Sequence, residues 1–132
     1  MFFKKLSLVT GGFDPIHSGH ISYFTRAMDF SDYLVVGINT EQWLKNKKGQ
    51  YFQSWVERAE IIRHLDMVDA VITVPDDDKG SACGAIAKCL EIAETVVSVM
   101  EVIEVNLIHQ KLISMVKIHE FNLNLVLVVM IR

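Results

Sequence analysis

An α/β fold, with a parallel sheet flanked by helices, is predicted by three features of the sequence. Three short apolar runs lack polar alternation, segments of helical periodicity separate them, and the first run ends in Gly11-Gly12. Runs without alternation mark strands buried on both faces, as in a parallel sheet covered by helices. Leu6-Ser7-Leu8-Val9-Thr10 is the first such strand, and it enters a tight glycine loop. From Ser18 to Met28 the spacing of Ile21, Phe24, Ala27 and Met28 is helical. Tyr33 to Ile38 is a second buried strand. Trp55 to Leu65 reads as a helix through Val56, Ala59 and Ile62, and Val68 to Val74 as a third strand. A turn over Pro75 to Gly80 precedes a helix expected from Ser81 to Glu94, with Asp78 or Ser81 as its cap. Strand–helix alternation implies right-handed parallel crossovers, hence a Rossmann-like sheet, whose ligands bind at the carboxyl ends of the strands. The Gly11-Gly12 loop sits at such an end.

At 132 residues the chain has room for one domain with a real core. Its net charge of −3 gives no basic field to favour a nucleic-acid partner. Cys83 and Cys89, in a helical stretch, read as reduced thiols of a cytoplasmic protein and not as a disulfide framework. The start Met1-Phe2-Phe3-Lys4-Lys5 reaches charge too soon for a signal peptide. The most apolar run, Leu123 to Ile131, is far short of the roughly 20 residues of a spanning helix, so no membrane association is expected.

The chemistry concentrates after the first strand, in Gly11-Gly12-Phe13-Asp14-Pro15-Ile16-His17-Ser18-Gly19-His20. Glycines let the backbone approach a ligand closely, and the free N–H groups of a helix start attract an anion. Two imidazoles in the first turn, with Gly19 between them, are placed to donate to phosphate oxygens as charge develops. The competing reading of a His-x-x-His pair is a zinc fragment, but Cys83 and Cys89 lack the paired spacing to complete one, and no metal ligand is assigned.

These residues resemble the H-x-G-H signature of the cytidylyltransferase-like nucleotidyltransferases, and the likeness runs from about Leu6 to Glu94. The resemblance implies transfer of CMP or AMP from CTP or ATP to a small phosphorylated acceptor, a polyol or sugar phosphate. Pyrophosphate would leave, with Mg²⁺ accompanying the triphosphate. It assigns His17 and His20 to steadying the triphosphate and transition state, and Gly11, Gly12, Phe13 and Asp14 to the backbone cradle, with Thr10 and Gly19 beside them. Lys47 is the expected phosphate-binding lysine of a loop over Trp43 to Gly49, supported by Lys45 and Lys48. Arg58 is expected to face the site; its plainer role is a surface ion pair with Glu57 or Asp66. Trp43 and Trp55 either line an acceptor pocket or simply pack, and His64 reads as a surface residue. Family members commonly pair, so a homodimer is expected. The related His-rich signature of class I aminoacyl-tRNA synthetases fits less well, because the chain is short and acidic.

The composition changes near Thr95. From Thr95 to Arg132 there is no Gly, Ala, Asp or Pro, and half of the six methionines fall here. Two strands, Val96 to Ile108 and Asn122 to Ile131, would form a hairpin, but turn residues are lacking. A second reading divides the chain into a nucleotidyltransferase core over 1–95 and an atypical tail over 96–132. Codons for Val99 to Lys111, read out of frame, allow Asn-Gly-Gly-Asp-Arg-Gly-Lys-Ser-Asn-Thr-Pro-Glu, a string resembling the continuation of some family members. A frame slip near Val97 follows from this reading, and with it a weak or inactive triphosphate-binding domain.

Overall fold

The computed structural model describes residues 3–77, 82–101 and 125–131. Strand β1 (Phe3–Gly11) leads to helix α1 (Ser18–Ala27), which ends in a 3₁₀ turn (Met28–Phe30). Then come β2 (Leu34–Asn39), α2 (Glu41–Lys48), α3 (Trp55–Arg63), β3 (Ala70–Val74), α4 (Cys83–Leu90), β4 (Ala93–Glu101) and β5 (Leu125–Ile131). The five strands form one sheet in the order β3-β2-β1-β4-β5, and every neighbouring pair is parallel.

The two-residue period of a strand decides which helix each side chain meets. Val9, Val36, Ile38, Val97 and Val99 pack with Phe24 and Ala27 of α1 and with Ala59 and Ile62 of α3. Leu6, Leu8, Val35, Val74 and Val96 face the other way, onto Ala85, Ile86, Cys89 and Leu90 of α4. Each fully buried aliphatic side chain contributes about 1.5–3 kcal/mol, so the two layers dominate the stability of the sheet. Two polar devices trim its lower end. The buried Ser7 hydroxyl donates to the Ala27 carbonyl at 3.0 Å, and the Asp69 carboxylate accepts the Leu34 N–H at 2.8 Å.

The chain moves outward from β1 to β2 and β3, then crosses back to the far side of β1 for β4. With right-handed crossovers, that reversal puts α4 on the face opposite α1 and α3. It also makes the β1–β4 boundary the switch point where loops diverge above the carboxyl ends. The loop after β1 lies at that boundary.

Several expectations are corrected. The lysine-rich segment is not a loop: Glu41–Lys48 is helical, capped by the Thr40 hydroxyl, which accepts the Trp43 N–H, and closed by Gly49 in the left-handed conformation at φ 85°. The helix expected over Ser81 to Glu94 is shorter, because Ala93 is already paired beside Phe3 at the start of β4. Its N-cap is Ala82, with no side-chain capping bond, while Asp78 and Ser81 lie outside the described residues. Asp76 instead accepts the Thr40 hydroxyl at 2.7 Å. The tail strands do not form a hairpin: β4 and β5 run parallel, with Thr95 opposite Leu125 and Glu101 opposite Ile131. The remainder of both expected segments, and of the frame-slip region, lies outside the described residues. A division at residue 95 falls inside β4, whose Val96, Val97 and Val99 are all buried. Both cysteines are free thiols; burial pushes that of Cys89 up to about 12, against a small opposing pull from Lys88.

Candidate active site

The backbone turns sharply as it leaves β1. Phe13 takes a positive φ of 50°, a region that costs a side-chain-bearing residue energy and recurs where function requires a fixed shape. What holds it there is packing. The Phe13 ring is buried edge-on against both Phe24 and His20, with centroids 5.1 Å away in each case, and it covers the Cα of Gly11. On the other side of the turn, a Cβ on Gly12 would lie 2.7 Å from a methyl of the buried Leu44 side chain of α2, which would have to shift to admit it.

His17 and His20 then form a reciprocal cap on α1. The Gly19 N–H donates to Nδ1 of His17 at 3.1 Å, and the His17 N–H donates to Nδ1 of His20 at 3.1 Å. This is a capping box built from imidazoles in place of a hydroxyl and a carboxylate. Their rings stack, 3.8 Å between centroids and 23° apart. A Cβ on Gly19 would stand 2.9 Å from the His17 ring, so the glycine makes room for that ring to fold over the helix end.

The caps determine the chemistry. A ring nitrogen that accepts an N–H cannot carry a proton, so both neutral imidazoles hold theirs on Nε2. The result is two Nε2–H donors side by side at the positive end of a helix. Burial, reinforced by the charge of His17, pushes His20 below the ordinary imidazole range. Protonation at Nδ1 of either ring would break the cap, and for His20 burial favours the neutral form as well.

Asp14 turns inward. Its side chain is 0% exposed and accepts the N–H groups of Phe52 and Gln53, each at 2.6 Å. Burial pushes its carboxyl up, but those two bonds and the charge of Lys48 outweigh that, leaving it below its usual value. Lys48 pairs with this carboxylate at 3.4 Å and donates to the Asp14 carbonyl at 2.9 Å. Lys48 is thus the lysine tied to the glycine loop. The Lys47 ammonium sits 4.6 Å from the centre of the Trp43 ring, and Lys45 sits 5.4 Å from that of Tyr51.

Arg58 is not a surface residue. It is 1% exposed, and Nη1 donates to the carbonyls of Gly12 at 2.8 Å and Asn39 at 2.7 Å. Nε donates to Gln53 and Ser54 carbonyls, while Nη2, 3.9 Å from a Glu41 oxygen, makes no hydrogen bond. Burial lowers its pKa and the charges of Asp14 and Glu41 oppose that; a guanidinium remains charged. Thr10 stands at the end of β1 opposite Gly37, its methyl filling the space a Cβ on Gly37 would need. Trp55 donates its indole N–H to the Ile38 carbonyl, and Trp43 lies against Gly12. His64 is on the surface, beside Glu60.

Structure thus brings the glycines, Phe13, His17, Gly19, His20, Asp14, Lys48 and Arg58 around one turn. Sequence reasoning missed Thr40, Gln53 and Ser54. Two of these carry a signal: Ser54-Trp55-Val56-Glu57 is a capping-box pattern, and Ser54 does accept the Glu57 N–H. Thr40 likewise precedes an acidic first turn.

A doubly wound parallel sheet with a histidine-capped glycine loop at its switch point defines a Rossmann-like α/β domain. Comparison with known proteins places it more narrowly: a model of the cytidylyltransferase-like family matches residues 8–130, and the chain belongs to that family. It is 36% identical over 76 residues to the bifunctional protein HldE of Campylobacter curvus, covering 56% of this chain and 16% of that protein. It is 41% identical over 71 residues to the FAD synthase of Thermococcus sibiricus, covering 52% of this chain and 48% of the synthase. The chain therefore spans less than half the length of either relative. Among solved structures, a lipopolysaccharide core biosynthesis protein from Thermoplasma volcanium superposes with a TM-score of 0.72 at 22% identity, over 96% of this chain and 95% of that one. That likeness is one of fold. No helix among the described residues is long and apolar enough to cross a membrane.

Proposed function

We propose that this chain is a nucleotidyltransferase, moving CMP or AMP from CTP or ATP to a small phosphorylated acceptor and releasing pyrophosphate. The observation that carries the reading is the pair of stacked, Nδ1-capped imidazoles of His17 and His20, which leaves two Nε2–H donors at the amino end of α1. Transfer of this kind needs no protein nucleophile. An acceptor phosphate oxygen attacks the α-phosphorus in line, the bond to the β-phosphate oxygen breaks, and pyrophosphate departs with the negative charge. The protein's part is to position the reactants and stabilise that charge. Neutral donors suit the task, since they strengthen their bonds as charge builds on the oxygens. Lys47 and Lys45 add cations beside the site, and Lys48 and Asp14 hold the loop's shape.

Magnesium enters this reading as part of the nucleotide substrate. The oxygens of Asp14, the carboxylate within the loop, already accept two N–H groups and Lys48, and no cluster of three ligating side chains occurs among the described residues. A metal that keeps its waters and binds through substrate phosphates needs no protein cage.

The kinship with HldE and FAD synthase supports nucleotidyl transfer as the class. The short glycine loop and the lysine segment favour glycerol phosphate or a heptose phosphate as acceptor. A cytoplasmic homodimer completes the reading. A panel of NTPs with Mg²⁺ and polyol or sugar phosphates, scored for pyrophosphate, tests it. Release with one NTP–acceptor pair, lost in His17→Ala and His20→Ala, is expected; no release with any pair ends the proposal of an active enzyme. The second reading, a domain that binds triphosphate without turnover, rests on the curated relatives matching little more than half of the chain. Triphosphate binding without pyrophosphate would select it. Sequencing the coding DNA tests the frame slip near Val97, and codons whose displaced reading lacks the predicted string would dismiss it.

A further inference from the structure

Arg58 presents a puzzle that substrate binding does not solve. Nε and Nη1 of this guanidinium are bonded to four backbone carbonyls, and its unbonded Nη2 is buried beside Glu41, so it has no exposed face to offer a phosphate. Burying a cation is costly, and carbonyl dipoles compensate it only in part. Arginine is therefore a poor choice for a plain core position.

The carbonyls it holds are informative. Nη1 bridges Gly12 and Asn39, the residues at which β1 and β2 leave the sheet, and Nε reaches Gln53 and Ser54 at the start of α3. A trans peptide is planar, with its C=O and N–H pointing in opposite directions. The Gly12–Phe13 peptide is trans, since the cis bond in the loop is Asp14–Pro15. Drawing the Gly12 carbonyl onto Arg58 therefore turns the Phe13 N–H directly away from α3. That N–H makes no hydrogen bond among the described residues. The peptide thus presents a donor without an intramolecular partner among them, in a residue held at positive φ.

We propose that Arg58 is a positioning residue: by clamping the Gly12 and Asn39 carbonyls it locks the Gly12–Phe13 peptide so that the Phe13 N–H serves as a phosphate donor alongside the two imidazoles. The inference rests on the nucleotidyltransferase reading above. Arg58 acts through the peptide and does not touch the ligand. Lysine at this position would keep the charge but lose the fork that spans two strand ends.

The test measures binding of inorganic tripolyphosphate by calorimetry to the full chain, to Arg58→Lys, and to a chain in which the Phe13 residue is replaced by its α-hydroxy analogue. The last change turns the N–H into an ester oxygen and leaves every side chain in place. Each change is expected to weaken tripolyphosphate binding about ten- to a hundredfold, the worth of a charge-assisted hydrogen bond. Combined, they should cost little more than one alone, because both remove the same donor. In turnover, the KM for nucleotide should rise while that for the acceptor stays level. Binding to the ester chain equal to that of the unmodified protein overturns the proposal, even if Arg58→Lys fails to fold. Additive losses overturn it as well, since they mean that Arg58 acts elsewhere. An unmodified chain that binds no tripolyphosphate overturns the functional reading itself, and this one with it.

Discussion

His17 does two jobs with its two nitrogens, and substitution can separate them. Nδ1 caps α1 by accepting the Gly19 N–H, whereas Nε2 is the proposed phosphate donor. Asparagine reproduces the acceptor but not the second nitrogen. His17→Asn is expected to unfold within a few tenths of a kcal/mol of the wild type, while His17→Ala loses about 1 kcal/mol, the usual worth of a cap. Both should lose about 10²–10³ in kcat, the cost of one transition-state donor. Urea titration beside the pyrophosphate assay checks this, and full turnover by His17→Asn would refute the role of Nε2. His20 adds a pH signature. Burial, then the charge of His17, holds it below the ordinary imidazole range, so folding favours its neutral form. Its contribution is complete above about pH 6.5 and is lost as the pH falls through the lower folded value. Melting temperature measured against pH should therefore fall on that flank less steeply in His20→Gln than in the wild type. Parallel profiles would mean that His20 titrates normally.

Helix α2 shows where the sequence is readable and where it is not. The strands were legible because Leu6 to Thr10, Tyr33 to Ile38 and Val68 to Val74 are mostly apolar without alternation; burial on both faces leaves that mark in β1 and β2, while β3, at the sheet edge, is largely half-buried. In α2 only Leu44 is buried, so Lys45, Asn46, Lys47 and Lys48 look like a solvated loop. Its start signal, Thr40, and its stop signal, Gly49, are the features that reveal it. Gly49 sits at φ 85° with open space where a Cβ would go. Gly49→Ala should therefore cost about 1 kcal/mol from backbone conformation alone, visible as a shifted denaturation midpoint with unchanged slope. A stability equal to wild type would show that the left-handed cap is not needed. The site was legible in part. His17, Gly19 and His20 announce themselves by spacing within one turn. The seat of Arg58 beneath Gly12, 46 positions away, and the bonds from Phe52 and Gln53 to Asp14 are made across the fold. No local pattern encodes such contacts.

At the scale of the whole molecule, β4 is the strand on which the sheet depends. It lies against β1 on one side and β5 on the other, and it contributes to the core on both faces. The Tyr23 hydroxyl of α1 also donates to the Val99 carbonyl. A chain ending at residue 95 keeps the glycine loop but loses Val96, Val97 and Val99 from the core. Removing several buried aliphatics costs several kcal/mol, comparable with the 5–15 kcal/mol that a domain of this size possesses. Such a truncation is expected to show no cooperative thermal transition by circular dichroism. A sharp transition near that of the full chain would instead establish 1–95 as an independent unit.

The placement of the two tryptophans has a practical corollary. The Trp43 indole rests on Gly12 with an ammonium above it, while that of Trp55 is fixed to the backbone of β2. One fluorophore therefore borders the glycine turn proposed to hold phosphate, and the other is anchored in the scaffold. In Trp55→Phe, whatever fills that turn should alter the emission of a single residue, so occupancy can be followed optically without any label.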